Sequence, residues 1–388
     1  MNESTVWIQG RYESAYGLLG VMAGELCEGF REAGHDARLI DLATDPHPEA
    51  GVFVFFNAPM DLDAFPAALW RPDGRLRAVQ VFVDHPFALP DAALDEWKRR
   101  TGLSNFRMCL PCADDVHLLR MRWPGLSHAW MGHGIPRGSL CGVGTVTRNA
   151  WDAREFDVVV TGSIATEAEI RDAFARMTPA MGDMAKQVVA LMVADAGVGY
   201  LQALDLVMGS NSVITGEWRT AKMFWRVCVA MANRIRRVRA VGALQGLRVG
   251  VFGSEAWGPV CTGTIAHAGR VGYADIPAAF ARGRVALAWG PTQFVHSYSE
   301  RIMLAMASGS AAVSDDRLLV RRDFPGLCAL YDAGEPATAR AACEGLLADP
   351  EAAIERAMRA RKWVEDRCLW AARVGQILAT PGTMRAVA

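Results

Sequence analysis

The chain has 388 residues, enough for two domains of ordinary size, each with its own core. Hydrophobic residues make up 51% of it, yet no apolar run is long enough to span a membrane, and the start, MNESTVWIQG, lacks the basic-then-apolar order of a secretory signal. A net charge of -1 gives no reason to expect nucleic acid as the main partner, and the cytoplasm is the expected compartment.

The first elements alternate. TVWIQG predicts a strand ending in glycine, and YGLLGVMAGELCEGFREAG has the spacing of a helix that Gly34 stops. DARLIDL, AGVFVFFNAP and AVQVFVDHP predict further strands, followed by shorter ones in FRMCLPC and HAWMGHGIP. Continuous apolar strands separated by helices predict a parallel sheet covered on both faces, here a Rossmann-like domain over residues 1–145. Its first turn, QGRYESAYGLLG, is not a G-x-G-x-x-G, so the dinucleotide fingerprint is missing. DLD, Asp61 to Asp63, mimics a metal-binding D-x-D, but its position at a helix start after Pro59 favours capping, and no metal site is expected. The nine cysteines are odd in number and scattered. The CLPC pair, Cys109 and Cys112, has no second pair to complete a zinc site and reads as a strand running into a turn, so reduced structural thiols are expected.

RGSLCGVGTVTRNAWDARE is rich in glycine and polar residues, and residues 146–155 are expected to link two domains. FDVVVTGS then opens a second alternating series, with two helical stretches over roughly residues 165–245 and strands in LRVGVFGS, VALAWG, AAVSD and LCALYD. This predicts a second Rossmann-like domain over 156–370 and a helical tail over 371–388. The fold expected is α/β, two Rossmann-like domains facing a central cleft onto which both sets of strand carboxyl ends open. The basic run NRIRRVR, Asn233 to Arg239, reads as a solvated helix face, with a peripheral contact to anionic, lipid-linked acceptors as the alternative.

The chemistry is concentrated in HSYSERIMLAMASGSAAVSDD, His296 to Asp316. Ser297 and Glu300 satisfy the capping box S-x-x-E. The helix start that follows would present backbone N–H groups and a partial positive charge to a phosphate, with Ser299 beside it and Arg301 able to pair with a diphosphate. Gly162 and Ser163, after the strand DVVV, offer a tight turn that brings further N–H groups to a phosphate. Asp84 and His85 in VFVDHPF end a strand of the first domain. Either takes a proton from an acceptor hydroxyl, or the segment is a turn in which Asp84 caps backbone groups and Pro86 redirects the chain. His133 in MGHGIP and His296 are further cleft candidates, better placed than His35 and His47 in surface turns.

HSYSERIMLAMASGSAAVSDD resembles the nucleotide-binding helix of GT-B glycosyltransferases, particularly the CgeB-type (spore maturation) branch. VGVFGSEAW resembles the same branch with Gly253 and Trp257 at the matching places, and GRVGYADIPAAFARGRVALAWG resembles its G-x-V-x-Y-x-[DE]-[IL]-P segment, with Tyr273 at the tyrosine. The order and spacing of the pieces match over roughly Phe156 to Asp316. The resemblance implies an enzyme of bacterial glycan biosynthesis that moves a sugar from a nucleotide-sugar donor to a glycan, protein or small-molecule acceptor. It implies no other cofactor and no catalytic metal, with the acceptor on the first domain and the nucleotide on the second. One departure stands out. The glutamate that usually holds the nucleotide ribose falls at Leu304, which accepts no hydrogen bond. That leaves a UDP-, dTDP- or CMP-sugar open, with Glu300, one turn earlier, as a substitute. It also keeps alive a second reading, a non-catalytic two-domain protein that binds nucleotide or sugar.

Overall fold

A computed structural model describes residues 5–12, 17–57, 63–71, 74–88, 95–96, 98–100, 105–140, 145–209 and 218–379. The chain divides into two compact units, Met1–Arg137 with Arg367–Ala388, and Gly138–Asp366.

Unit 1 is built on a six-stranded sheet: β1 Val6–Gln9, β2 Ala37–Ile40, β3 Gly51–Phe56, β4 Leu76–Val81, β5 Phe106–Leu110 and β6 Ser127–Trp130. Its order is β2-β1-β3-β4-β5-β6, and every pair is parallel. All six residues of β3 are buried, as a strand covered on both faces requires. The helix Leu18–Glu32 buries Met22, Ala23, Leu26, Cys27 and Phe30 along one stripe. Gly34 ends it at φ 89°, in the left-handed region.

The last part of the chain completes unit 1. A turn at Trp370–Arg373 and the helix Val374–Leu378 follow Arg367. Ile135 N donates to Cys368 O at 2.9 Å, and Trp370 N donates to Ile135 O at 3.3 Å. Trp370 is fully buried and meets Phe56 edge-on at 5.5 Å between ring centres. A side chain at Gly134 would lie 2.6 Å from the Trp370 ring, and one at Gly29 would lie 2.8 Å from Ala371 N. Both positions are therefore restricted to glycine by close approach.

Unit 2 carries β7 Phe156–Thr161, β8 Val249–Phe252, β9 Ile265–His267, β10 Gly283–Leu287, β11 Ala311–Asp315 and β12 Ala329–Tyr331, again all parallel, in the order β12-β11-β10-β7-β8-β9. β9 escapes sequence reading because it is a short edge strand in which only Ile265 is buried, so it carries no apolar run. Between β7 and β8 the described helices are Glu167–Ala175, Pro179–Ala194, Tyr200–Met208 and Trp218–Gly242. The 146–155 segment is packed rather than extended. Thr147 Oγ1 caps the helix Arg148–Asp152 by accepting from Ala150 N at 3.2 Å, and Trp151 is fully buried. Arg154 donates to the carbonyls of Gly283 and Gly309 at 2.8 and 3.1 Å and to Ser310 Oγ at 3.0 Å. Burial draws its pKa down to about 10.

Candidate active site

Counted from β7, the strand order of unit 2 is that of the dinucleotide-binding fold, and the order reverses between β7 and β10. In such sheets ligands collect outside the carboxyl ends of the two strands flanking that reversal. β7 ends there at Thr161, and Gly162 follows at φ 133°, a backbone conformation side chains rarely adopt. Its N–H donates to Phe252 O at 2.9 Å, and its carbonyl accepts from Trp257 Nε1 at 2.7 Å. A side chain at Gly253 would lie 2.3 Å from that carbonyl, so glycine at both positions lets the turns after β7 and β8 interlock.

Three donors converge on the space beside Gly162. A Cβ placed there would stand 3.6 Å from Trp289 Nε1, 3.8 Å from Arg237 Nη1 and 3.8 Å from Arg301 Nε. Trp289 follows β10, Arg237 lies in the helix Trp218–Gly242, and Arg301 is in the first turn of the helix Glu300–Ala307. Arg237 is buried, stacks over Trp289 at 5.7 Å and donates from Nη1 to Ser163 O. Burial chiefly, and the positive charge of Arg301 next, draw its pKa down to about 9. The remaining donors are unspent: Arg237 Nε, Trp289 Nε1 and the hydroxyl of Thr161 are buried without a hydrogen-bond partner. Arg301 is half-buried and has no ion pair. Each buried, unpaired donor costs roughly 1–3 kcal/mol. The two guanidinium groups repel each other, and the Asp315 carboxylate, already paired with Arg317, offsets this only in part. An anion answers every one of these deficits.

The capping box expected at Ser297 and Glu300 does not form. The helix begins at Glu300, which therefore occupies the first helical position instead of the third, and Ser299 is the cap residue without a side-chain bond. Ser297 donates instead to Tyr298 O at 3.4 Å. The Glu300 carboxylate belongs to a residue only 8% exposed and has no hydrogen bond or ion pair. Leu304 is fully buried. The approach to this helix is held from below by Arg317, which forms a buried ion pair with Asp315 at 2.5 Å and donates to the carbonyls of Gly290 (2.8 Å), Pro291 (3.2 Å) and Phe294. Gly290 N donates to Asp315 Oδ1 at 2.7 Å and Thr292 N to Asn233 Oδ1 at 3.0 Å. Tyr273 is buried in a short turn, and His296 is exposed.

In unit 1, Asp84 lies beyond the carboxyl end of β4 and is half-buried. Asn57, at φ 53° after β3, is the one non-glycine residue with positive φ among those described. Its side chain donates to Asp84 Oδ2 at 3.1 Å and accepts from Val83 N at 3.1 Å, and its carbonyl accepts from Gln80. Asn57 thus fixes Asp84, and sequence reading had seen only the end of a strand there. His85 is buried and engaged at both ring nitrogens. Nδ1 accepts from Phe87 N at 3.1 Å, which assigns the proton to Nε2, 3.3 Å from Asp115 Oδ1. Burial lowers its pKa to about 3, and burial raises the Asp115 carboxyl. Of the two candidate bases, His85 is thereby committed to structure. His133 is buried, and its carbonyl accepts from Arg373 Nε at 3.1 Å.

The basic run at 233–239 is not a solvated face. Arg234 donates to Ala165 O (2.8 Å) and Glu167 (2.9 Å), Arg236 to Asp195 O (2.7 Å), and Arg237 turns inward as described. Arg237 and Trp289 are the site residues that sequence reading missed. Of DLD, Asp61 and Leu62 lie outside the described residues, and Asp63 pairs with Arg100 at 2.5 Å. Among the described residues no three His, Cys, Asp or Glu side chains are grouped to hold a metal ion. Cys109 and Cys112 are buried and form no disulfide, and Cys112 stands at the cap position of the helix Ala113–Arg122 without a side-chain cap bond. No described helix is long and apolar enough to cross a membrane.

Residues 234–379 match a family model described as "Glycosyl transferase-like". No curated protein matches the chain in sequence. Solved structures similar in fold include T4 phage BGT in complex with its UDP-glucose substrate, with a TM-score of 0.53 at 10% identity over 97% of this chain and 99% of that one. Sucrose-phosphate synthase from Thermosynechococcus elongatus gives 0.52 at 12% identity over 97% and 98%. A glycosyltransferase from Rickettsia africae gives 0.52 at 9% identity over 98% and 100%. The chain thus has the α/β GT-B fold of glycosyltransferase enzymes, with a glycosyl transferase-like region over residues 234–379.

Proposed function

We propose that this protein is a glycosyltransferase, of the CgeB-like branch, that moves a sugar from a UDP-, dTDP- or CMP-sugar to a glycan, protein or small-molecule acceptor in bacterial glycan biosynthesis. The observation that carries the proposal is the set of unspent donors around Gly162, Trp289 Nε1, Arg237 Nε and Arg301, at the reversal point of the unit 2 sheet. These take the donor phosphates. Glu300, buried and without a partner, accepts from the ribose hydroxyls in the role that Leu304 cannot fill. Gly253, Tyr273, Ser297 and Ser299 shape the turns around the nucleotide, and His133 and His296 are assigned to sugar or acceptor. The cytoplasm is the compartment proposed, a choice supported by eight free cysteines among the described residues.

In the reaction the acceptor hydroxyl oxygen bonds to the anomeric carbon. The bond from that carbon to the phosphate oxygen breaks, and the electron pair leaves with the nucleotide. Arg301, Arg237 and Trp289 stabilise the charge that develops on the departing phosphate, without a catalytic metal. Asp84, held by Asn57 on unit 1, takes the hydroxyl proton if configuration inverts. If configuration is retained, it orients the acceptor, and the hydroxyl proton passes to the departing phosphate oxygen.

The test is a thermal-shift screen of sugar nucleotides, since a ligand bound only to the native state raises the melting temperature by mass action. The donor that stabilises should also be hydrolysed slowly when no acceptor is present. Stabilisation without hydrolysis or transfer to any acceptor would instead identify a non-catalytic binder. Absence of stabilisation by any sugar nucleotide would refute the nucleotide site.

A further inference from the structure

Unit 1 contains a second feature of the same kind, at the opposite end of its sheet from Asp84. A cavity of about 90 Å³, open on one side, lies against the amino-terminal halves of β3, β4, β5 and β6. That is several times the ~10–15 Å³ that a single water needs. The strand register puts Val52 beside Arg77, Val79 beside Arg107, and Arg107 beside Ser127. Side chains alternate along a strand, so these five share one face, and Ile377 to Ala379 supply the opposite wall.

Arg107 is the anomaly. It is 8% exposed, its side chain makes no hydrogen bond or ion pair, and its Nε is wholly buried. Arg77, exposed at the rim of the same cavity, also has no ion pair. Asn105 Oδ1 is buried there without a donor, while its Nδ2 is committed to Leu69 O. A buried guanidinium without a counter-charge is strongly unfavourable, and water would satisfy its donors without neutralising it. Apart from Ser127, the rest of the lining is apolar, chiefly Val52, Val79, Phe106, Ile377 and Leu378.

We propose that this cavity is a second ligand site, for a small organic anion with a carboxylate or phosphate head on an apolar body of a few carbons. The head pairs with Arg107 and Arg77, and the body covers the apolar wall. The site lies wholly within unit 1 and does not depend on how unit 2 holds its nucleotide.

Calorimetry and thermal shift on the full chain test it, using hexanoate and hexyl phosphate as probes and hexanol and sodium chloride at matched ionic strength as controls. Saturable binding of either anion, absent with both controls, is expected, and the tighter of the two identifies the head group. Arg107→Met should weaken that binding about ten- to a hundred-fold, as expected for loss of a charge-assisted hydrogen bond. Without probe, this variant should melt no lower than the wild type, because it removes an unpaired buried charge. Arg77→Met, a change at the exposed rim, should fold normally and weaken the anions by a smaller factor. The proposal is overturned if neither anion binds saturably, if both variants bind as the wild type does, or if Arg107→Met melts well below it.

Discussion

Arg301→Met separates an anion-binding site from a merely basic surface, because the two readings predict opposite signs. The substitution keeps much of the aliphatic stem and removes the charge. In the free protein, Arg301 Nε and Arg237 Nη1 each lie 3.8 Å from one point, so they are no more than twice that distance apart. Like charges at such a separation repel by roughly 2 kcal/mol at an effective dielectric near 20, and the half-buried position of Arg301 screens this to ~1 kcal/mol. The free variant should therefore be as stable as the wild type or slightly more so, a gain of up to a few degrees in Tm. Its affinity for the sugar-nucleotide donor should fall by the ~1.5–3 kcal/mol of a charge-assisted hydrogen bond, or about ten- to a hundred-fold. Denaturant unfolding of the free protein and calorimetric titration with the donor measure the two quantities separately. A destabilised free variant whose donor affinity is unchanged would show that Arg301 supports the fold and would remove it from the site.

Asp84→Asn preserves shape and should lower turnover by ~10²–10⁴-fold with donor affinity nearly intact if Asp84 is the base of an inverting enzyme; wild-type turnover would return this segment to a turn. Leu304→Glu places a carboxylate at a fully buried position and should cost several kcal/mol of stability, read by denaturant unfolding, whereas retained stability with tighter UDP-sugar binding would mean that the ribose reaches this residue. His85, lowered to about 3 by burial, stays neutral in the folded protein while the unfolded chain protonates near pH 6.5. Its contribution is thus complete above that pH and is lost as pH falls toward 3, by up to about 1.4 kcal/mol per pH unit. Asp115, raised by burial, acts with the opposite sign in acid, so the measurement is the difference in unfolding free energy between wild type and His85→Asn across pH 7 to 5. A difference that does not change with pH would refute the buried-neutral assignment.

The strands were legible because burial on both faces imposes continuous apolar runs, as VFVFF and DVVV display. β9 was not, since an edge strand with one buried residue, Ile265, has no apolar run to show. The candidate site was legible where backbone chemistry dictates sequence: glycine at 162 and 253, and a helix start near Ser299. It was misread where one residue type serves two environments. Arg237 stands in a run of basic residues that looks solvent-facing, and only its place on the buried face of the helix, one turn before Ala240 and Val241, turns it inward. Trp289 looked like the end of a strand, because nothing in a tryptophan codon position reveals that its N–H will go unpaired. S-x-x-E at 297–300 fits a cap by spacing, yet the loop pinned by Arg317 delays the helix by two residues.

Unit 2 is a continuous stretch of chain, whereas unit 1 is interrupted by the whole of it and completed only by Trp370 and the residues after it. During synthesis, then, the later unit has its full sequence before the earlier one does. Until Cys368 to Ala372 arrive, Gly29, Gly134 and Phe56 surround an unfilled tryptophan-sized hole, and the edge at Ile135 has no partner. With unit 2 already folded, the intervening chain is no longer a flexible loop, and the cost left is that of ordering the last residues themselves. The slow step in maturation should therefore be the docking of the chain's end onto its beginning. A nascent or clipped chain would expose an apolar slot in the first unit while the second is already native, which makes the amino-terminal third the part most in need of protection from aggregation.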